Sequence, residues 1–250
     1  MKRLNGNVTI ITGGGKGIGF GLAEAFAEEG SNLVITGRTE SRLVAAKQKL
    51  EEKYGVEVLP IVADGADEEA IKNVVAKTIE KFGKINTLVN NAQVSKSGTP
   101  LVEHTKGDFD LAIYSGLYAA FFYMRECFPY LKESKGSVIN FASGAGLFGK
   151  LGQSSYAAAK EGIRGMSRVA AAEWGPDGVR VNVICPLAMT ESLAQWRDNY
   201  PELFQKTIQG IPLGHFADPK QDIGRVAVFL ASDDASYVTG ETITLQGGSG

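Results

Sequence analysis

The sequence predicts an α/β protein, a doubly wound fold in which a parallel sheet of roughly seven strands carries helices on both faces. Three observations predict it. β-branched runs alternate with amphipathic helical stretches along the whole chain. The strand runs are apolar at nearly every position, as expected of strands covered on both sides. No repeat, low-complexity tract or linker divides the chain, so residues 1–250 read as one domain.

The elements follow in order. VTIIT opens the sheet and runs into the glycine-rich TGGGKGIG. GIGFGLAEAFAEEG is an amphipathic helix closed by Gly30, a residue suited to the left-handed turn after a helix. LVIT is the second strand, and SRLVAAKQKLEEKYG the second helix, closed by Gly55. VEVLPIVA and DEEAIKNVVAKTIEKFG repeat the pattern, ending on Gly83. INTLVNNA, the helix around SGLYAAFFYMRECFPYL, then SVINFAS and the helix SSYAAAKEGIRGMSRVAAAEW continue it. VRVNVIC and ETITLQ complete the strands, separated by a long insertion at residues 190–216 that reads as a substrate-covering lid of helical pieces.

Composition sets bounds on function. A chain of 250 residues with 44% hydrophobic and 22% charged residues is long enough to bury a sizeable core. The net charge of −2 argues against nucleic acid as a partner. Cys127 and Cys185 lie far apart and read as reduced, buried thiols. The start, MKRLNGNVTIITGG, has no apolar signal region, and no run is apolar enough to span a membrane. A cytoplasmic protein without membrane contact is expected. His104 and His215 have no ligand spacing to other His or Cys, so no metal is expected.

Glycine inside regular structure costs up to about 1 kcal/mol relative to alanine. The cluster from Gly13 to Gly19 therefore needs a reason. Between a strand and a helix, such glycines let the chain turn tightly and let a pyrophosphate approach the backbone. The helix N-terminus then offers free N–H groups and the positive end of its dipole. The spacing is T-G-x-x-x-G-x-G, at Thr12, Gly13, Gly17 and Gly19. Further landmarks follow: Asp64, the NNA run at Asn90, Asn91 and Ala92, Ser143, Tyr156-Ala-Ala-Ala-Lys160, and Pro186. In this order the pattern resembles the short-chain dehydrogenase/reductase family, over about Val8 to Gly248.

The resemblance implies a Rossmann fold, a nicotinamide cofactor and a small-molecule carbonyl or alcohol substrate. It assigns Tyr156 as general acid/base and Ser143 as the group orienting the carbonyl. Lys160 would tune the tyrosine and hold the nicotinamide ribose. The chemistry is coherent: tyrosine and lysine four residues apart share one helix face. An ammonium beside a phenol favours the tyrosinate and lowers its pKa from about 10. Hydride must come from a cofactor. The implied cofactor-binding set is Thr12, Gly13, Gly15, Lys16, Gly17, Ile18, Gly19, Arg38, Asp64, Gly65, Asn91, Ala92, Tyr156, Lys160, Pro186, Leu187 and Thr190. Asp64 would touch the adenine; as a plain reading it caps a turn.

Cofactor choice is read after LVIT. An acid there would accept from the ribose hydroxyls of NAD. This chain has Gly37 and Arg38 instead, with Lys16 in the glycine loop. A guanidinium matches a 2′-phosphate, so NADP(H) is expected. Glu40 keeps NAD as the alternative.

Three residues depart from the family pattern. Gly116 stands where the family carries an asparagine that helps a proton relay through water to the lysine; Ser115 or a water would have to substitute. Gln93 follows NNA where a glycine is usual, and Leu187 follows Pro186 where a glycine is usual. The lid aromatics Trp196, Tyr200 and Phe204, with Ile211 and Phe216, either line an apolar pocket or pack the lid onto the core. GAGLFGKLGQSS reads as the opposite wall, with Leu147, Phe148 and Gln153 facing a ligand. Lys96, Lys150 and Arg197 are the candidates for an acidic substrate, but no cluster marks one. The expected activity is NADPH-dependent reduction of a small or medium, uncharged ketone or aldehyde, or the reverse; a catalytically quiet NADP-binding redox sensor or scaffold is the alternative. The resemblance also implies a homotetramer or dimer built on the two long central helices.

Overall fold

The structure is a computed structural model and describes residues 2–249. Seven parallel strands form one sheet: β1 (Val8–Thr12), β2 (Asn32–Gly37), β3 (Val58–Val62), β4 (Thr87–Asn90), β5 (Ser137–Phe141), β6 (Arg180–Pro186) and β7 (Thr242–Leu245). Their spatial order is β3-β2-β1-β4-β5-β6-β7. The order reverses at β1, which pairs with β2 on one side and β4 on the other. In such sheets ligands bind beyond the carboxyl ends of the strands at this reversal.

Side-chain alternation explains the continuously apolar strands. Ile10, Val34, Leu88, Val138 and Val181 face one layer, packing on Ile71, Val74, Tyr123 and Leu131. Their neighbours Ile11, Leu33, Ile35, Val89, Ile139 and Ile184 face the other, packing on Leu22, Phe26, Leu50 and Val228. Each strand residue therefore has a core to enter whichever way it points.

The first three helices are α1 (Gly17–Glu28), α2 (Glu40–Tyr54) and α3 (Glu68–Phe82). Gly55 and Gly83 close α2 and α3 in the left-handed conformation, and Gly30 adopts it just past α1. The helix after β4 differs from the single regular helix that its sequence suggests. α4 (Lys106–Ala112) and α5 (Ala119–Ser134) are joined by a π-helical turn, Ile113–Tyr118, with Gly116 buried inside it. Such turns disturb the regular hydrogen-bond ladder and collect at functional sites. α6 (Gly144–Phe148) is one short turn after β5, and α7 (Ser154–Trp174) is the long helix before β6.

The insertion after β6 forms α8 (Glu191–Asn199) and α9 (Pro201–Gln209). A parallel bridge between Ala188 and Ala217 pins the two ends of this lid together. A π-helical turn, Pro219–Gly224, then leads into α10 (Arg225–Ala231), which precedes β7.

Candidate active site

A cavity of about 440 Å³ opens at the carboxyl ends of the strands flanking the reversal. It is lined by Thr12, Gly13, Gly15, Lys16, Gly17, Ile18, Gly19, Arg38, Asp64, Gly65, Asn91, Ala92 and Thr190 from the expected cofactor set. Its floor is the glycine loop. Gly13 and Gly17 have φ of +71° and +53°, a region side chains rarely adopt. A Cβ at Gly19 would stand 2.1 Å from the Gly13 carbonyl oxygen. No side chain caps the N-terminus of α1 and no acid sits in its first turn, so its free N–H groups face the loop. This cradle fits a pyrophosphate. Gly19→Ala is expected to cost about 1–3 kcal/mol of stability through overpacking, and to weaken dinucleotide binding. Thermal unfolding with and without dinucleotide measures both.

Thr12 acts chiefly as a staple. Its hydroxyl accepts from the backbone N–H of Asn91 and of Ala92, each at 3.0 Å. The Asn91 amide donates to the Thr12 carbonyl at 2.9 Å. The glycine loop and the NNA segment are thus held as one rigid unit. Asp64 serves its turn, accepting from Ala66 N–H at 3.0 Å, while also lining the cavity.

At the far end, beyond β2, Lys16 and Arg38 are joined by Arg42, which the sequence reading missed. None of the three has an ion-pair partner among the described residues. Arg42 lies in the first turn of α2, and only the folded turn after β2 brings it beside Arg38. Glu40 does not line the cavity.

The three expected catalytic residues meet beside this cavity, although they are not part of its lining. Ser143 is the N-cap of α6; its Oγ accepts from Ala145 N–H at 3.1 Å, which fixes its direction. Tyr156 lies in the first turn of α7, and Lys160 follows one turn later. The Lys160 ammonium stands 5.5 Å from the Tyr156 ring centroid and donates to the Phe141 carbonyl oxygen at 2.6 Å. Lys160 is 3% exposed.

The electrostatics differ from the expectation that Lys160 lowers the Tyr156 pKa. Burial raises the Tyr156 phenol above its ordinary value, with the hydrogen-bonded Ser143 hydroxyl pulling the other way. Burial also pushes the Lys160 ammonium down to about 8. The cation is engaged by a main-chain carbonyl rather than aimed at the phenol. Tyr156 therefore holds its proton at neutral pH, as a donor to a carbonyl oxygen must.

The Lys160 shift also has a stability consequence. Between about 8 and the ordinary 10.5, the unfolded chain binds more protons at this site than the folded one. Its contribution is full above that window and is lost as pH falls through about 8. Lys160→Met is expected to flatten the rise of stability with pH across this window relative to wild type. Denaturation midpoints at both ends check it; equal slopes would contradict the burial argument.

Pro186 and Leu187 do not line the cavity. Leu187 N–H donates to Leu245 O, its carbonyl accepts from Ala217 N–H, and its side chain packs under the lid. Phe204, Ile211 and Phe216 form the lid's own core, with Phe204 and Phe216 ring centroids 5.5 Å apart. Trp196 packs on this core and Tyr200 is exposed, so packing accounts for most of these side chains. Lys96 pairs with Asp108 and Arg197 with Asp198. Both thiols are free and buried. The His104 ring packs edge-on against Phe109, and His215 Nδ1 lies 3.0 Å from the Phe216 carbonyl. Among the described residues no cluster of His, Cys, Asp and Glu could hold a metal ion. No described helix is long and apolar enough to cross a membrane.

A family model described as enoyl-(acyl carrier protein) reductase matches residues 13–249. A 12alpha-hydroxysteroid dehydrogenase from a Clostridium species is 60% identical over 256 residues, covering 100% of this chain and 99% of the relative. The chain belongs to the short-chain dehydrogenase/reductase family. Crystal structures of this family superpose closely. That of levodione reductase has a TM-score of 0.92 at 34% identity, covering 98% of both chains. That of NAD+-bound xylitol dehydrogenase has a TM-score of 0.92 at 28% identity, covering 99% of this chain and 100% of the other. This short-chain dehydrogenase/reductase is accordingly an oxidoreductase working with a nicotinamide cofactor on ketones or alcohols.

Proposed function

We propose that the protein is an NADP(H)-dependent dehydrogenase interconverting a secondary alcohol and a ketone on a large, rigid, apolar substrate such as a hydroxysteroid. The observation that carries the reading is the meeting of Ser143, Tyr156 and Lys160 beside a glycine-floored dinucleotide cavity. A bound nicotinamide supplies or takes the hydride. In the reducing direction Ser143 Oγ–H donates to the carbonyl oxygen and holds it in place. Tyr156 gives its phenolic proton to that oxygen as negative charge develops there. Lys160, held by the Phe141 carbonyl, returns a proton to the phenolate. In the oxidising direction the same groups act in reverse.

The preference for NADP(H) rests on Lys16, Arg38 and Arg42 at the far end of the cavity, with Gly37 rather than an acid at the end of β2. Substrate size rests on the mouth. The segments after β4 and β5 are tied by Gly98 N–H donating to Gly152 O at 2.8 Å. They present Leu101, Val102, Phe148 and Leu151 to solvent, with Val102 91% and Leu151 95% exposed. Leu203 and Leu213 of the lid segment are exposed as well. Apolar surface of this extent suits a broad hydrocarbon face, and the hydroxysteroid dehydrogenase relative supports that class.

Self-association is part of the same proposal. Tyr114, Tyr118 and Phe121 on the π-turn and α5 are exposed, with Tyr114 and Tyr118 stacked at 5.0 Å, and Val169 is exposed on α7; these apolar groups suit contact with a second copy of the chain.

The test is a series of secondary alcohols of increasing ring number, with NADP+ and product ketone quantified. Rates rising with apolar bulk to a maximum at steroid-sized substrates support the reading. Equal rates for small linear alcohols and steroids would overturn the substrate class.

A further inference from the structure

The two departures at Gln93 and Gly116 are one feature. A Cβ at Gly116 would stand 2.6 Å from Gln93 Cδ, 2.8 Å from Oε1 and 2.9 Å from Nε2. The Gln93 carboxamide, reaching from the loop after β4, occupies the space beside Gly116 that a helix side chain would need. Its Nε2 donates to Ala112 O at 3.4 Å, at the entrance of the π-turn. Its Oε1 is buried and has no hydrogen-bond partner in the protein. A buried acceptor left this way is costly, so it points to a donor that the protein itself does not supply.

The location says what that donor serves. Gln93, Gly116 and Ile163 line the same cavity. Ile163 lies three residues after Lys160 on the same face of α7, and the π-turn packs directly against α7. There Gly162 lies under the Leu117 side chain, where a Cβ would come within 2.8 Å of Leu117 Cδ2. Lys160 is sealed from solvent, yet it must regain a proton after each transfer. Ser115 is a poorer route, because its single hydroxyl proton is held by main-chain carbonyls. Leu111 O at 2.6 Å and Val94 O at 2.8 Å compete for that proton, while the oxygen accepts from Val94 N–H at 3.1 Å.

We propose that Gln93 is the positioning residue for proton supply: its Oε1, set beside Gly116, holds the water through which buried Lys160 exchanges its proton with solvent. The balance is simple. The proton leaving the Tyr156 phenol for the substrate oxygen is replaced from the Lys160 ammonium. The Lys160 amine takes a proton from the water on Gln93, and that water recovers one from solvent. The titratable groups around Lys160 are Tyr156 on its own helix, Cys185 on β6, and the Glu161–Arg164 pair. The inference rests on the proposed roles of Tyr156 and Lys160.

The experiment compares wild type, Gln93→Met, and the exchange variant Gln93→Gly with Gly116→Asn, each as the full chain with NADP(H) and a ketone substrate. Methionine keeps the bulk beside Gly116 and removes the acceptor. The expected result for Gln93→Met is a loss of kcat of about tenfold or more, part of the roughly 10²–10⁴-fold that positioned proton transfer supplies. Its pH profile of kcat is displaced, while KM, NADPH affinity by fluorescence and Tm stay near wild type. The exchange variant, which moves the carboxamide to the helix, is expected to recover kcat and the profile. Unchanged kcat and pH profile in Gln93→Met would overturn the proposal. So would a kcat loss that only follows a fall in Tm and is not recovered by the exchange. Tyr156→Phe, run alongside, separates the two claims. If it keeps wild-type turnover, the catalytic reading fails and this inference with it; if it is inactive while Gln93→Met is fully active, only this inference fails.

Discussion

Tyr156→Phe is expected to lower kcat by about 10²–10⁴-fold while leaving the protein folded and able to bind its dinucleotide. The substitution keeps the ring, whose centroid the Lys160 ammonium faces at 5.5 Å. It removes only the hydroxyl, and with it the proton and the interaction with the neighbouring Ser143 hydroxyl. Because the phenol is raised by burial, Tyr156 carries its proton at neutral pH, and no neighbouring group replaces it as a donor. Ser143 is committed by its capping bond to orienting the oxygen, and Lys160 by its bond to Phe141. The check is kcat together with NADPH affinity measured by fluorescence. Retained turnover would remove Tyr156 from the mechanism; lost turnover with lost binding would show a structural role instead.

Arg38→Ala is expected to weaken NADPH by roughly ten- to a hundredfold and to leave NADH nearly unchanged. Charge-assisted hydrogen bonds contribute about 1.5–3 kcal/mol, and each 1.4 kcal/mol is about tenfold in affinity. The effect should exceed that of Arg42→Ala or Lys16→Ala, because Arg38 directly follows Gly37 at the end of β2, where an acid would select the other dinucleotide. All three cations are exposed, so the preference should shrink as salt is added. Dissociation constants for both dinucleotides at low and high ionic strength measure this. Equal losses for NADPH and NADH would mean that Arg38 supports the loop rather than reading the phosphate.

What the sequence made legible was local. The glycine loop could be read because a strand precedes it and a helix follows, and its geometry is set within a few residues. Tyr156 and Lys160 were singled out by the family resemblance, and helical periodicity adds that they share one face. What was not legible depends on contacts between distant segments. The nearest miss was local: Arg42 lies four residues after Arg38, but nothing in that run marks the first turn of α2 as lining the cavity. The complementarity of Gln93 and Gly116 joins a loop after β4 to a π-turn, and no local pattern announces either the turn or the pairing. The direction of the Tyr156 shift was misread for a related reason. Spacing shows that Lys160 is near, but not that it is buried and bonded to a carbonyl of β5. Leu187 and the lid aromatics were ambiguous because packing residues and pocket-lining residues are chemically alike.

The most direct measurement is the initial rate of a steroid-sized secondary alcohol with NADP+ and with NAD+, for wild type and Tyr156→Phe side by side. The account predicts turnover with NADP+ at least about tenfold above NAD+ in kcat/KM, corresponding to about 1.4 kcal/mol or more. It also predicts that turnover disappears with the phenol. Turnover favouring NAD+, or surviving in Tyr156→Phe, would contradict it.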